Sequence, residues 1–154
     1  MASTTTRDQV DRAKFTGLLS DTSKMAGGSN YQYIFQLDDV NNSILAIARQ
    51  AGINAVPLFD LSGGAGQLPQ AWPRADVAYS GYAGGLSPEN VIEQLKKIEE
   101  AAWGHRIWVD VETHVRSADD QTFDLDKVRA FLEAVKLWVD QAGPSEERRG
   151  AVHL

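Results

Sequence analysis

Short apolar stretches rich in aromatic and β-branched residues alternate along this chain with segments of helical periodicity, and this alternation confines it to a parallel α/β architecture. A strand is predicted over residues 31–37. Asp38 to Asn42 then offer N-cap candidates, Ile44, Leu45, Ala48 and Ala51 recur at helical spacing, and Gly52 can end that helix. A second strand is predicted over 54–59, although Pro57 has no N–H and argues against an interior position. Pro69, Trp72 and Pro73 then predict an ordered loop or a short turn in place of a helix.

The third unit is a strand over 77–82, a tight turn at Ala83-Gly84-Gly85, and a helix with Ser87 as N-cap and Pro88 at its first position. Val91, Leu95, Ile98 and Ala102 form its apolar stripe, Glu93 and Lys97 pair on the outer face, and Gly104 ends it. The fourth unit is a strand over 106–111, a polar loop to Thr122, and a helix capped by Asp124. Its expected buried stripe is Leu125, Val128, Phe131, Leu132, Val135 and Val139.

The expected organisation is an N-terminal helix (Arg7 to Ser20) or disordered arm over 1–30, a half-barrel α/β domain over 31–141, and a loose polar tail over 142–154. A closed (β/α)8 barrel takes about 200–250 residues. About four strand–helix units in 154 residues therefore make a partial TIM barrel or a small open sheet. Either leaves unpaired strand edges, so a homo-oligomer or a partner half-barrel is expected.

The net charge of −6 argues against extensive nucleic-acid contact, which needs many phosphate-neutralising cations. No apolar run approaches the roughly 18 residues of a membrane span, and the first six residues are polar, so a cytoplasmic protein is expected. The absence of Cys excludes disulfides, thiolate metal sites and a cysteine nucleophile. No His, Asp or Glu spacing suggests a metal site, and no cofactor is expected.

Carboxylates stand where the strands end: Asp38, Asp60, Asp110 and Glu112. In parallel α/β folds that end forms the ligand face, so Asp60 and Asp110 could share a cleft and divide acid and base roles. The alternative is that these aspartates cap the following elements. Gly63, Gly64 and Gly66 could admit a ligand close to the backbone, or form a plain turn. Gly84 and Gly85 lead directly into a helix whose N-terminal N–H groups favour a phosphate, or leave room for helix–strand packing. Of the three histidines, only His114 lies in a strand-end loop.

Three segments, in order, are Leu58-Phe59-Asp60 with Gly63-Gly64-Ala65-Gly66, then Ala83-Gly84-Gly85-Leu86-Ser87-Pro88-Glu89-Asn90-Val91, then Val109-Asp110-Val111 leading to Asp126-Lys127-Val128-Arg129-Ala130-Phe131. Over residues 54–139 they resemble the C-terminal half of phosphoribosylanthranilate isomerase. The resemblance implies a (β/α)8 barrel and an Amadori rearrangement of a phosphoribosyl aminoaldose in tryptophan biosynthesis, without metal or cofactor. It implies Asp60 as general acid and Asp110 as an active-site carboxylate near the anthranilate group. It places phosphate on the backbone around Gly84 and Gly85 and on the loop after Val111, where Thr113 lies. The family's base is a cysteine of its first strand–helix unit. Its Ser-Ser-Gly loop reads Glu112-Thr113-His114 in this sequence. A non-catalytic phosphosugar-binding or oligomerising half-barrel module is the alternative expectation.

Overall fold

The structure is a computed structural model that describes residues 17, 18, 21, 31–37, 42–75, 79–140 and 152–153. The helix expected from Arg7 to Ser20, and Asp38, lie almost wholly or wholly outside these residues. Four parallel strands run in sequence order: β1 (Tyr33–Leu37), β2 (Ala55–Phe59), β3 (Tyr79–Tyr82) and β4 (Arg106–Val109). The tail expected to be loose adds a two-residue strand, β5 (Val152–His153), in parallel against Ile107 and Trp108.

Three helices complete the alternation: α1 (Asn42–Gln50), α2 (Val91–Ala102) and α3 (Leu125–Asp140). One apolar core joins them to the sheet. Leu45 and Ala48 of α1, Leu95 and Ile98 of α2, and Phe131 and Val135 of α3 pack with Leu37, Ala55, Phe59, Tyr82, Ile107 and Val109. In register, Leu37 lies beside Phe59, Phe59 beside Tyr82, and Tyr82 beside Val109. The helices therefore cover the single sheet face that these residues share. Ile34, Leu58, Gly81 and Trp108 lie on the other face, where Ile34 is 58% exposed. Trp108 packs on Tyr79 at 4.6 Å between ring centroids and over the space where a Gly81 side chain would stand.

Two local features depart from the sequence expectations. Pro57 is fully buried in an interior strand, paired with Phe35 of β1. The β2–β3 ladder starts only at Leu58, after the proline, so the missing N–H interrupts no described rung on that side. Leu125 and Leu132, expected in the buried stripe of α3, are exposed at 74% and 46%. Val128, Phe131 and Val135 of that stripe do reach the core, joined by Ala134 and Trp138.

The link from β2 to β3 is an ordered loop, as its prolines predict. Trp72 donates from Nε1 to Gln94 Oε1 of α2 at 3.1 Å, the Tyr82 hydroxyl donates to Pro73 O at 3.0 Å, and Ala75 N donates to Ala101 O at 3.1 Å. These contacts do the work that a crossover helix does elsewhere. Further back in the same loop, the Gln67–Leu68 backbone lies against Gly85 at the start of the next unit.

Candidate active site at the strand ends

Phe59 and Val109 face the helices, so the next residues, Asp60 and Asp110, turn toward the uncovered side at the C-terminal ends of β2 and β4. There they line one open cleft of about 50 Å³ with Ser62, Gly64, Gly66, Gly84, Gly85, Glu112, Thr113 and His114. The cleft thus gathers residues from three successive loops. Of the described candidate site residues (Asp60, Asp110, Glu112, Thr113, His114 and the five glycines), Gly63 alone is not part of its lining.

Asp60 is 7% exposed and holds its loop together. Its Oδ1 accepts from Ser62 N at 3.1 Å and from the Ser62 hydroxyl at 2.6 Å. Its Oδ2 accepts from Gly64 N at 3.0 Å and from Gln36 Nε2 of β1 at 2.7 Å. Asp60 caps no helix, because none lies between β2 and β3 among the described residues. Gln36 was missed by sequence reasoning. A polar residue before the end of a strand gives no signal until the register places it beside Asp60.

The glycines answer to two constraints, backbone conformation and space, and Gly66, Gly84 and Gly85 meet both. Gly63, Gly64 and Gly66 have φ of +61°, +89° and +64°, the left-handed region that the tight loop demands. Gly84 and Gly85, at +100° and +70°, also lack room. A Cβ on Gly84 would stand 3.0 Å from Asp60 Oδ1, and one on Gly85 would run into the backbone of Leu68. The Gly85 vacancy is therefore filled by the preceding loop.

The start of α2 is also more occupied than its sequence suggests. Regular helix begins at Val91, with Ser87 O accepting from Val91 N at 3.0 Å. Asn90 closes the turn: its Oδ1 accepts from Ser87 N at 2.9 Å and its Nδ2 donates to Gly85 O at 2.8 Å. A hydrogen bond from Ser87, then one from its own backbone, holds the Glu89 carboxyl below its usual range, with Lys127 and His114 adding attraction. The N–H groups of Gly84 and Gly85 have no acceptor among the described residues.

On the other wall, Thr113 and His114 lie in a short 3-10 turn (Thr113–Val115). The Thr113 side chain covers Gly66, with its Cβ 2.8 Å from where a Gly66 Cβ would stand. His114 Nε2 meets Gly66 O at 2.8 Å, tying the β4 loop to the β2 loop. No group of His, Cys, Asp and Glu that could hold a metal ion occurs among the described residues, and none of their helices is long and apolar enough to cross a membrane.

Asp110 differs from Asp60. No donor among the described residues reaches its carboxyl. Burial, then Glu112, then Asp60 raise its pKa above the usual range. A raised folded-state pKa means that the folded state resists ionisation. The stabilisation this represents is full below the unfolded-state value near 3.8 and is lost as pH rises through the folded value. Asp110→Asn is therefore expected to be more stable than the parent at neutral pH. The difference should shrink to nothing as pH falls below 3.8, measured by urea denaturation across that range. A difference constant with pH would show that the charge of Asp110 is not its source.

No family model matches the chain, and no solved structure matches it. Over 55 residues, 35% of its length, the chain is 47% identical to the tryptophan biosynthesis protein TRP1 of Phytophthora nicotianae. It spans 9% of the length of that protein.

Proposed function

We propose that this chain is part of a phosphoribosylanthranilate isomerase-like barrel that acts on a phosphoribosyl aminoaldose in tryptophan biosynthesis. The observation that supports this most is the convergence of Asp60, Asp110 and the Gly84–Gly85 turn on one cleft at the C-terminal strand ends. The similarity to a tryptophan biosynthesis protein points the same way. The uncovered sheet face would line the barrel interior, and the remaining strands would continue from the edges of the sheet, supplied by a longer chain or by a second copy.

The Amadori rearrangement needs an acid at the ring oxygen and a base at C2. Asp60 and Asp110 are the candidates for the acid. The chain has no Cys, and Glu112 and His114 are the other titratable groups in the cleft lining. Conversion of phosphoribosylanthranilate by this chain alone is expected, at a rate below the usual enzyme range of about 1–10³ s⁻¹. No conversion above the uncatalysed rate would refute the isomerase reading, and an ordinary turnover number would show that Glu112 or His114 replaces the thiol fully.

The phosphate would take the N–H groups of Gly84 and Gly85 at the positive end of α2. Glu89 and Glu112 bring negative charge to the same region, so ribose 5-phosphate should bind weakly, with a Kd of roughly 1 mM. Glu89→Gln removes one opposing charge and should tighten binding several-fold. Amide shifts at Gly84 and Gly85 during titration would measure this. Equal affinity for parent and variant would place the phosphate elsewhere.

A further inference from the structure

The face of β4 that leads to Asp110 also carries Trp108, two residues earlier on the chain. In register, Leu58, Gly81 and Trp108 form one row across β2, β3 and β4. Two residues further along each strand stand Asp60, Ala83 and Asp110, all in the cleft lining, so this row lies beneath the cleft. The middle of the row has no side chain, and Trp108 takes the space. Its indole atoms Cε2, Cζ2 and Nε1 lie against Gly81, closer than a Cβ there would allow. The ring is therefore laid across β3 instead of standing up from β4. Tyr79 meets it at 4.6 Å between ring centroids, with the planes at 44°. The result is a half-buried aromatic surface below the two aspartates, on the sheet face that the helices leave uncovered.

The cleft above makes a different demand. Asp60, Asp110 and Glu112 line it, and among the described residues no Lys or Arg does. Carboxylates attract N–H donors and the electropositive edge of an aromatic ring, whereas a ring face accepts another ring in offset or tilted contact. A planar arylamine meets both demands at once. Its face rests on the indole while its N–H and ring edge turn to the carboxylates. An aliphatic amine lacks the stacking face, and an aryl carboxylate without an N–H lacks the donor and adds a like charge.

We infer that Trp108 is the stacking floor for the aryl ring of the ligand, and that Gly81 is the residue that lets the indole lie there. This rests on the proposed isomerase reading, whose substrate carries an aryl ring on the reacting nitrogen. The carboxylate of that ring is directed away from the two aspartates, to the side that the described residues leave open. Trp108 takes no part in proton transfer. It is a positioning residue, and it sets which nitrogen substituent the cleft accepts.

The test uses the full chain and measures binding apart from turnover, through the backbone amide shifts of Ala83 and Asp110. Aniline should give a saturable shift, and benzoate should bind several-fold more weakly. Trp108→Ala should weaken aniline binding about tenfold, the scale of one aromatic stacking contact, and Trp108→Phe should restore most of it. Gly81→Ala, whose Cβ displaces the indole, should lose aniline binding although Trp108 is still present. The shifts that ribose 5-phosphate causes at Gly84 and Gly85 should be the same in the parent and both Trp108 variants. No saturable aniline shift in the parent, benzoate binding as tight as aniline binding, or equal aniline affinity in parent and Trp108→Ala would overturn the inference. Aniline binding that depends on Trp108, without conversion of phosphoribosylanthranilate, would end the isomerase reading and support the stacking floor. Conversion without aniline binding would do the reverse.

Discussion

Gly85→Val is expected to lower the free energy of unfolding by about 2–5 kcal/mol, the sum of a left-handed backbone strain and an overpacked contact. Gly85 has φ +70°, where a β-branched residue is strained, and its Cβ would overlap the Leu68 backbone. Backbone cannot rotate away as a side chain can. The clash would push residues 67–68 off the turn and disturb the neighbouring contacts of Trp72 and Pro73 with Gln94 and Tyr82. A typical domain has only about 5–15 kcal/mol of stability, so the loss should be plain in a urea midpoint with unchanged slope. A change under 0.5 kcal/mol would mean that the loop does not rest on this turn. For the same reason, Gly85→Val cannot serve as a test of phosphate binding, since it removes the wall together with the proposed site.

The strand–helix alternation was legible in the sequence because its signals are local. Periodicity marked α1, α2 and α3, Asp124 capped α3 through the amides of Asp126 and Lys127 at 3.0 and 3.2 Å, and Gly52 ended α1 at φ +77°. The loop from Asp60 to Ala75 was legible as a loop, but its docking onto α2 was not, since a tryptophan shows no partner in sequence. Pro57 misled because its rule concerns ladder hydrogen bonds, and the ladder on the β3 side begins one residue later.

The stripe of α3 held at Val128, Phe131 and Val135 and missed at Leu125 and Leu132 for another reason. Its apolar arc, from Leu125 through Val139, is wider than the sheet and α2 can cover, so Leu125 and Leu132 remain on an open flank. Periodicity shows which residues share a face and says nothing of how much neighbouring structure is present. The site was half legible. Asp60, Asp110 and both glycine turns were named from the rule that ligands gather at strand ends. Gln36 and the His114–Gly66 tie were not, because each joins residues far apart in sequence, at separations of 24 and 48, through register alone.

Asp60→Ala should cost about 2–4 kcal/mol, more than an ordinary polar truncation, because a buried hub leaves several donors unmatched. The variant strands Gln36 Nε2, Gly64 N, Ser62 N and the Ser62 hydroxyl around one vacated position. Gln36→Leu, in contrast, removes one donor and leaves the carboxylate with three, so about 1 kcal/mol is expected. The two effects should not add. Once Asp60 is gone, Gln36 has no carboxylate to hold, and the double variant should be no worse than Asp60→Ala alone, with a coupling of about 1 kcal/mol. Hydrogen exchange supplies the local readout: the Gly64 amide should lose protection in Asp60→Ala and keep most of it in Gln36→Leu. Full additivity in the cycle would break the link between β1 and the β2 loop. It would also remove the structural reason for treating Asp60 as the anchor that ties the β2 loop to β1.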